Sequence, residues 1–162
     1  MTNNDTLRRL RYALNIDDTK VAETIALTGH ATTTDEVVNW LKREDEEGYA
    51  EMSPTLLCRF LDGLIIDRRG PHPSGKAPEP LEFLSNNEIL KKLRIALELK
   101  EGDMLAVFKR VEFTVTKAEL GAFFRKEGHR NFRKCPEQVL KKFIKGLSTK
   151  TGSNRQNDFE AE

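Results

Sequence analysis

Asn3-Asn4-Asp5-Thr6-Leu7-Arg8-Arg9-Leu10-Arg11-Tyr12-Ala13-Leu14 decides the fold, because Asn86-Asn87-Glu88-Ile89-Leu90-Lys91-Lys92-Leu93-Arg94-Ile95-Ala96-Leu97 writes it again 83 positions later. The same offset holds without a gap from residues 3–66 onto residues 86–149. It sets Thr33 on Thr116, Glu36 on Glu119 and Glu44 on Glu127. Near the end it sets Leu57, Phe60, Gly63 and Leu64 on Leu140, Phe143, Gly146 and Leu147. A fixed period of this kind marks a chain built from repeated structural units.

Each copy reads as four short helices. Leu7, Leu10 and Leu14 recur at i, i+3 and i+7, which puts them on one helical face, and Leu90, Leu93 and Leu97 do the same. Asn4 and Asn87 are N-cap residue types and are expected to open helix one. Helix two follows Asp17-Asp18, with Val21, Ala22 and Ile25 inward; its counterpart buries Met104, Leu105 and Phe108. Thr33 with Glu36, and Thr116 with Glu119, have capping-box spacing, so helix three starts there in both copies. Val37, Trp40 and Leu41, then Leu120, Phe123 and Phe124, form its inward stripe. Helix four starts at Ser53-Pro54 and at Pro136, since proline suits a first turn. Strand-like alternation is weak throughout, and the expected class is all-α.

This predicts an acidic repeat over residues 1–66, a linker over 67–85, a basic repeat over 86–149 and a disordered tail over 150–162. The linker holds four of the six prolines and little to bury, which reads as semi-extended chain. The tail is polar and without period. No apolar run approaches the length of a membrane span, which is about 20 residues, and the N-terminus carries no signal-peptide pattern. Two cysteines, Cys58 and Cys135, exclude a disulfide framework or a four-cysteine zinc site and fit a reducing cytoplasm.

The doubled Asn-Asn motif resembles the YehS-like family, small bacterial proteins of unknown function made of two such repeats. Leu90-Lys91-Lys92-Leu93-Arg94-Ile95-Ala96-Leu97, Trp40-Leu41-Lys42-Arg43-Glu44-Asp45-Glu46-Glu47-Gly48-Tyr49, Phe60–Ile66 and His129–Cys135 carry the resemblance. It spans nearly the whole chain outside the linker and tail. It implies the two-repeat layout and a bacterial cytoplasmic origin, and it brings no catalytic residues.

Nothing in the residues points to catalysis or a cofactor. His30, His72 and His129 lack a nucleophile and an orienting partner at readable spacing. His30 takes the position that Phe113 fills in copy two, which suggests a packed or surface turn residue. Cys135 falls on Met52 and reads as a soft apolar position. The carboxylates Glu44, Asp45, Glu46 and Glu47 lack the alternating spacing and turn glycine of a calcium loop, so no metal is expected. Arg11 and Arg94 recur, as do Glu44 and Glu127. The expected account is an Arg–Glu pair in each repeat, tying helix one to the end of helix three, with anion binding by the arginines as the alternative.

Charge gives the functional clue. Residues 3–66 hold 7 basic and 12 acidic side chains, a net of −5, while residues 86–149 hold 15 and 8, a net of +7. The contrast concentrates between helices three and four. Copy one carries Glu44, Asp45, Glu46 and Glu47 beside Tyr49; copy two carries Arg125, Lys126, His129, Arg130, Arg133 and Lys134 beside Phe132. Two readings follow. In the first the chain is a non-catalytic protein-binding module whose opposite loops meet within one molecule, in a second copy, or on an unknown partner. In the second the basic repeat binds nucleic acid, with Phe132 stacking on a base and Lys91, Lys92, Lys109, Arg110, Lys141, Lys142 and Lys145 extending the positive field. A helix-turn-helix is a poor fit, since Asp35 and Glu36 at the start of helix three would repel phosphate.

Overall fold

The computed structural model describes residues 1–149; the expected tail from residue 150 lies outside them. Eight helices and no strand occupy the described residues. They are α1 (Asn3–Leu14), α2 (Asp18–Ala26), α3 (Thr34–Leu41) and α4 (Pro54–Arg69), then α5 (Asn86–Ala96), α6 (Glu101–Arg110), α7 (Lys117–Phe123) and α8 (Glu137–Ser148). None is long and apolar enough to cross a membrane.

Capping sets most starts. Thr33 accepts from the Glu36 amide while Glu36 reaches back to the Thr33 amide, both at 3.1 Å. Thr116 and Glu119 repeat the exchange at 3.1 Å. Asp17 caps α2 and Ser53 caps α4, which carries Pro54 in its first turn. Helix one differs from expectation. Its caps are Thr2 and Ser85, two residues before Asn4 and Asn87. A hydroxyl there serves the first free amides and releases the asparagines for a second task.

Leu7, Leu10, Leu90, Leu93, Val21, Ile25, Val37, Trp40, Met104, Phe108, Leu120 and the apolar face of helix four are buried in one continuous cluster drawn from both copies, and Leu14 and Leu97 pack against it partly buried. α1 lies along α8, and α4 lies along α5. The seam is therefore made twice, each time from the first helix of one copy and the last helix of the other. The buried cluster thus runs across both seams. α4 also continues to Arg69, into the stretch the composition assigned to the linker. The linker is tied down as well: the Leu81 amide donates to Cys58 Sγ at 3.3 Å, and Leu84 packs on the core.

Within each copy, helix two crosses helix four at a glycine. A Cβ on Gly63 would run into the Thr24 carbonyl, and a Cβ on Gly146 into that of Val107. Thr24 and Val107 are themselves 83 positions apart, so close backbone approach at this crossing is a repeated feature.

Candidate functional site

The doubled Asn-Asn motif builds the ends of the oppositely charged loops. Asn4 Nδ2 donates to the carbonyls of Trp40 and Ala50, both at 2.9 Å, while its Oδ1 accepts from the Met52 amide at 3.0 Å. Asn87 repeats this with Phe123 at 3.0 Å, Arg133 at 2.8 Å and Cys135 at 2.9 Å. Asn3 and Asn86 add bonds to the carbonyls of Met52 and Cys135, at 3.1 and 3.0 Å. An amide side chain with two donors and an acceptor fits this task, satisfying loop groups that are buried or partly buried around Asn4 and partly buried to exposed around Asn87. The loops between these anchors share their turns, from Arg43 to Tyr49 and from Lys126 to Phe132. Gly48 takes a positive φ of 89° in the second turn of one loop, and Gly128 takes 94° in the first turn of the other.

Both loops lie at one end of the molecule. Asn3 and Asn86 hold the ends of the loops beside the starts of α1 and α5. The Met1 amine meets Glu137 in the first turn of α8, joining the start of α1 to that of α8. The starts of α1, α4, α5 and α8 therefore gather together, and the loops leading into α4 and α8 gather with them.

The acidic side chains Glu44, Asp45, Glu46 and Glu47 are exposed. Arg43 lies among them, 3.5 Å from Asp45 and 3.2 Å from Glu46. Tyr49 is half-buried, and its hydroxyl holds its proton more tightly than usual, through desolvation first and then the fields of Glu44, Glu51 and Asp5. On the basic loop Arg125, Lys126, His129, Arg130, Arg133 and Lys134 are exposed and Phe132 is half-buried. Arg133 folds back onto the carbonyls of Phe132, at 2.8 Å, and Arg130, at 3.3 Å. His129 Nδ1 accepts from the Asn131 amide at 3.0 Å. Among the described residues no ion pair joins the acidic loop to the basic one.

The expected Arg–Glu ties are not made. Arg11 donates to Asp18 at 2.8 Å instead of reaching Glu44. Arg94 donates to the Leu99 carbonyl at 3.0 Å and lies 4.7 Å over the Phe124 ring, away from Glu127. The reason is distance along the helix: Arg11 stands seven residues beyond Asn4, about 10 Å up the axis from the loop anchor. Arg8, one turn beyond Asn4, makes the link that was assigned to Arg11. It donates to the carbonyls of Leu41 and Lys42, at 3.4 and 3.2 Å. Several cations credited to a positive field are also engaged. Lys92 pairs with Asp62 at 2.6 Å, Lys141 with Glu137 at 3.8 Å, and Arg110 reaches the Gly146 carbonyl at 3.5 Å. Sequence reasoning missed the Asn clamp and the Asp62–Lys92 pair; the doubling of Asn-Asn was the available signal for the first.

Cys58 and Cys135 are buried and unpaired with each other. Burial pushes the Cys135 thiol up to about 12 and also raises that of Cys58, the opposite of an activated nucleophile.

The family model described as "Protein of unknown function (DUF1456)" matches residues 3–70 and again residues 86–151. The chain belongs to this family. Among its relatives is an uncharacterised protein, YehS, of Escherichia coli strain K12, 39% identical over 150 residues, which are 93% of this chain and 96% of that protein. No solved structure matches the chain. The two matched segments coincide with the two halves of the helical pattern and bring no known activity with them.

Proposed function

We propose that the protein works by binding and not by catalysis, and that it associates with a second copy of itself through the acidic and basic loops. The observation that carries this reading is their common location. Two exposed loops of opposite charge share one end of the molecule, and among the described residues no ion pair joins them. Two copies meeting end to end about a two-fold axis then set each acidic loop against a basic one, twice over, which is a self-complementary interface. Complementary potentials speed the encounter and fix its register.

The test is light scattering of the full-length protein across concentration and salt. Dimer is expected at low salt, weakening as salt rises. Reversing Arg130, Arg133 and Lys134 to Glu abolishes it; an unchanged assembly contradicts the reading. Nucleic acid is the second reading, favoured by the exposure of Arg125, Lys126, Arg130 and Lys134. The half-buried ring of Phe132 counts against base stacking. Anisotropy of labelled DNA and RNA across the same salt series decides it, since phosphate contacts give a steep log–log slope.

A further inference from the structure

Phe83 is the most exposed large apolar side chain among the described residues, at 86%. Two fixed points hold it there. Two residues before it, the Leu81 amide donates to Cys58 Sγ in α4 at 3.3 Å. Two residues after it, the Ser85 hydroxyl accepts from the Glu88 amide at 3.1 Å and caps α5. Leu84, between Phe83 and that cap, packs against the core. The chain on either side is spent on the fold, while the ring is left in solvent.

Its place follows from the course of the linker. Pro71, Pro73 and Pro78 line a cavity with Ile65, Ile66 and Arg69, in the second half of α4. Leu81 reaches Cys58, nearer the start of that helix, and Ser85 opens α5. The chain therefore descends the α4–α5 seam toward the helix starts, and Phe83 lies where it arrives. Three residues on, Asn86 donates to the Cys135 carbonyl at the end of the basic loop, at 3.0 Å. The acidic loop leads into α4. The ring thus stands at the end of the molecule that carries both loops, where Tyr49 and Phe132 are half-buried.

We infer that Phe83 is the apolar centre of a surface through which two copies of this chain associate. The inference rests on the loop pairing proposed above and adds what charge alone lacks. Charged loops steer the encounter and fix its register, yet exposed ion pairs contribute little net affinity. Stable interfaces draw theirs from a few buried aromatic side chains ringed by polar groups. A two-fold axis through this end brings the Phe83 rings of both copies into one interface. Leu81 and Ser85 already fix the backbone around each ring, which lowers the ordering cost of burying it. The acidic and basic loops then form the polar rim. A second copy is the favoured occupant because the surroundings of Phe83 carry both signs of charge, and the same surface rotated by a half-turn matches them.

Light scattering of the full-length Phe83→Ala variant across concentration, at low and high salt, tests it. The dissociation constant is expected to rise about a hundredfold or more, since each interface loses two rings, and by the same factor at every salt concentration. Reversal of Arg130, Arg133 and Lys134 acts most strongly at low salt instead. At concentrations where the parent protein is monomeric, Phe83→Ala leaves Tm unchanged, which separates lost association from lost folding. Phe83→Trp gives a second readout: its indole emission is blue-shifted in the dimer and moves to the red on dilution, over the constant signal of buried Trp40. Equal dimerisation by the parent and Phe83→Ala, or an indole that stays in solvent in the dimer, overturns the inference and leaves the loop pairing standing. A dimer lost in Phe83→Ala but untouched by the loop reversal supports Phe83 and overturns the loop pairing. A parent protein monomeric at every concentration overturns both.

Discussion

Asn4 and Asn87 do the same work in both copies, each side chain serving two carbonyls and one amide of the loop that precedes helix four. Truncation to Ala leaves three backbone groups to find new partners. Asn4→Ala and Asn87→Ala are each expected to lower unfolding stability by about 2–3 kcal/mol, read from urea unfolding. Asn4 is the more buried and sets the larger loss. A loss under about 0.5 kcal/mol at both positions, the range of ordinary surface substitutions, contradicts the clamp. The repeat alignment singled these asparagines out, yet residue type alone assigned them to capping. Asn is a good cap and also a good long-range bridge; only the placement of Thr2 and Ser85 decides between them. Arg11 was misread for a related reason. Its duplication was visible, but its height on the helix relative to Glu44 depends on where the loop is anchored.

At the scale of elements, the helices were legible because hydrophobic period and capping boxes agree within each of them. What sequence left out is how helix two meets helix four. Gly63 and Gly146 are visible as a repeated pair, and their cause is contact with a backbone carbonyl 39 residues earlier in each copy. Gly63→Ala and Gly146→Ala are therefore each expected to cost about 1–3 kcal/mol, since the opposing atom is backbone and gives way only with the helix. Thermal unfolding with no change in Tm for both variants contradicts the crossing. The ends of helix two differ between copies in the opposite sense. Gly29 takes a φ of 85°, while Glu112, its counterpart, is held at 54°. A left-handed conformation favours glycine, so Glu112→Gly is expected to raise stability by about 0.5–1 kcal/mol, measured by the same unfolding. A lower Tm for this variant contradicts that account of the turn.

The whole molecule is where sequence said least. An exact offset announced two copies but could not say whether each has its own core, because the buried stripe of α1 looks the same whether α4 or α8 covers it. The structure draws one buried cluster from both copies, so cutting the chain between them would expose part of it. Charge asymmetry was legible by counting; the meeting of both loops at one end was not, because it depends on the Asn clamps and on the contact of Met1 with Glu137. From that meeting comes the central claim, that opposite loops of two copies pair. The most direct measurement is sedimentation of two charge variants, alone and mixed. Glu44, Glu46 and Glu47 are reversed to Lys in the first variant, and Arg130, Arg133 and Lys134 to Glu in the second. The account predicts that each is monomeric alone, its end now carrying one sign of charge, and that the mixture forms a salt-sensitive heterodimer. Variants that still self-associate, or a mixture that stays monomeric where the parent protein dimerises, would contradict it.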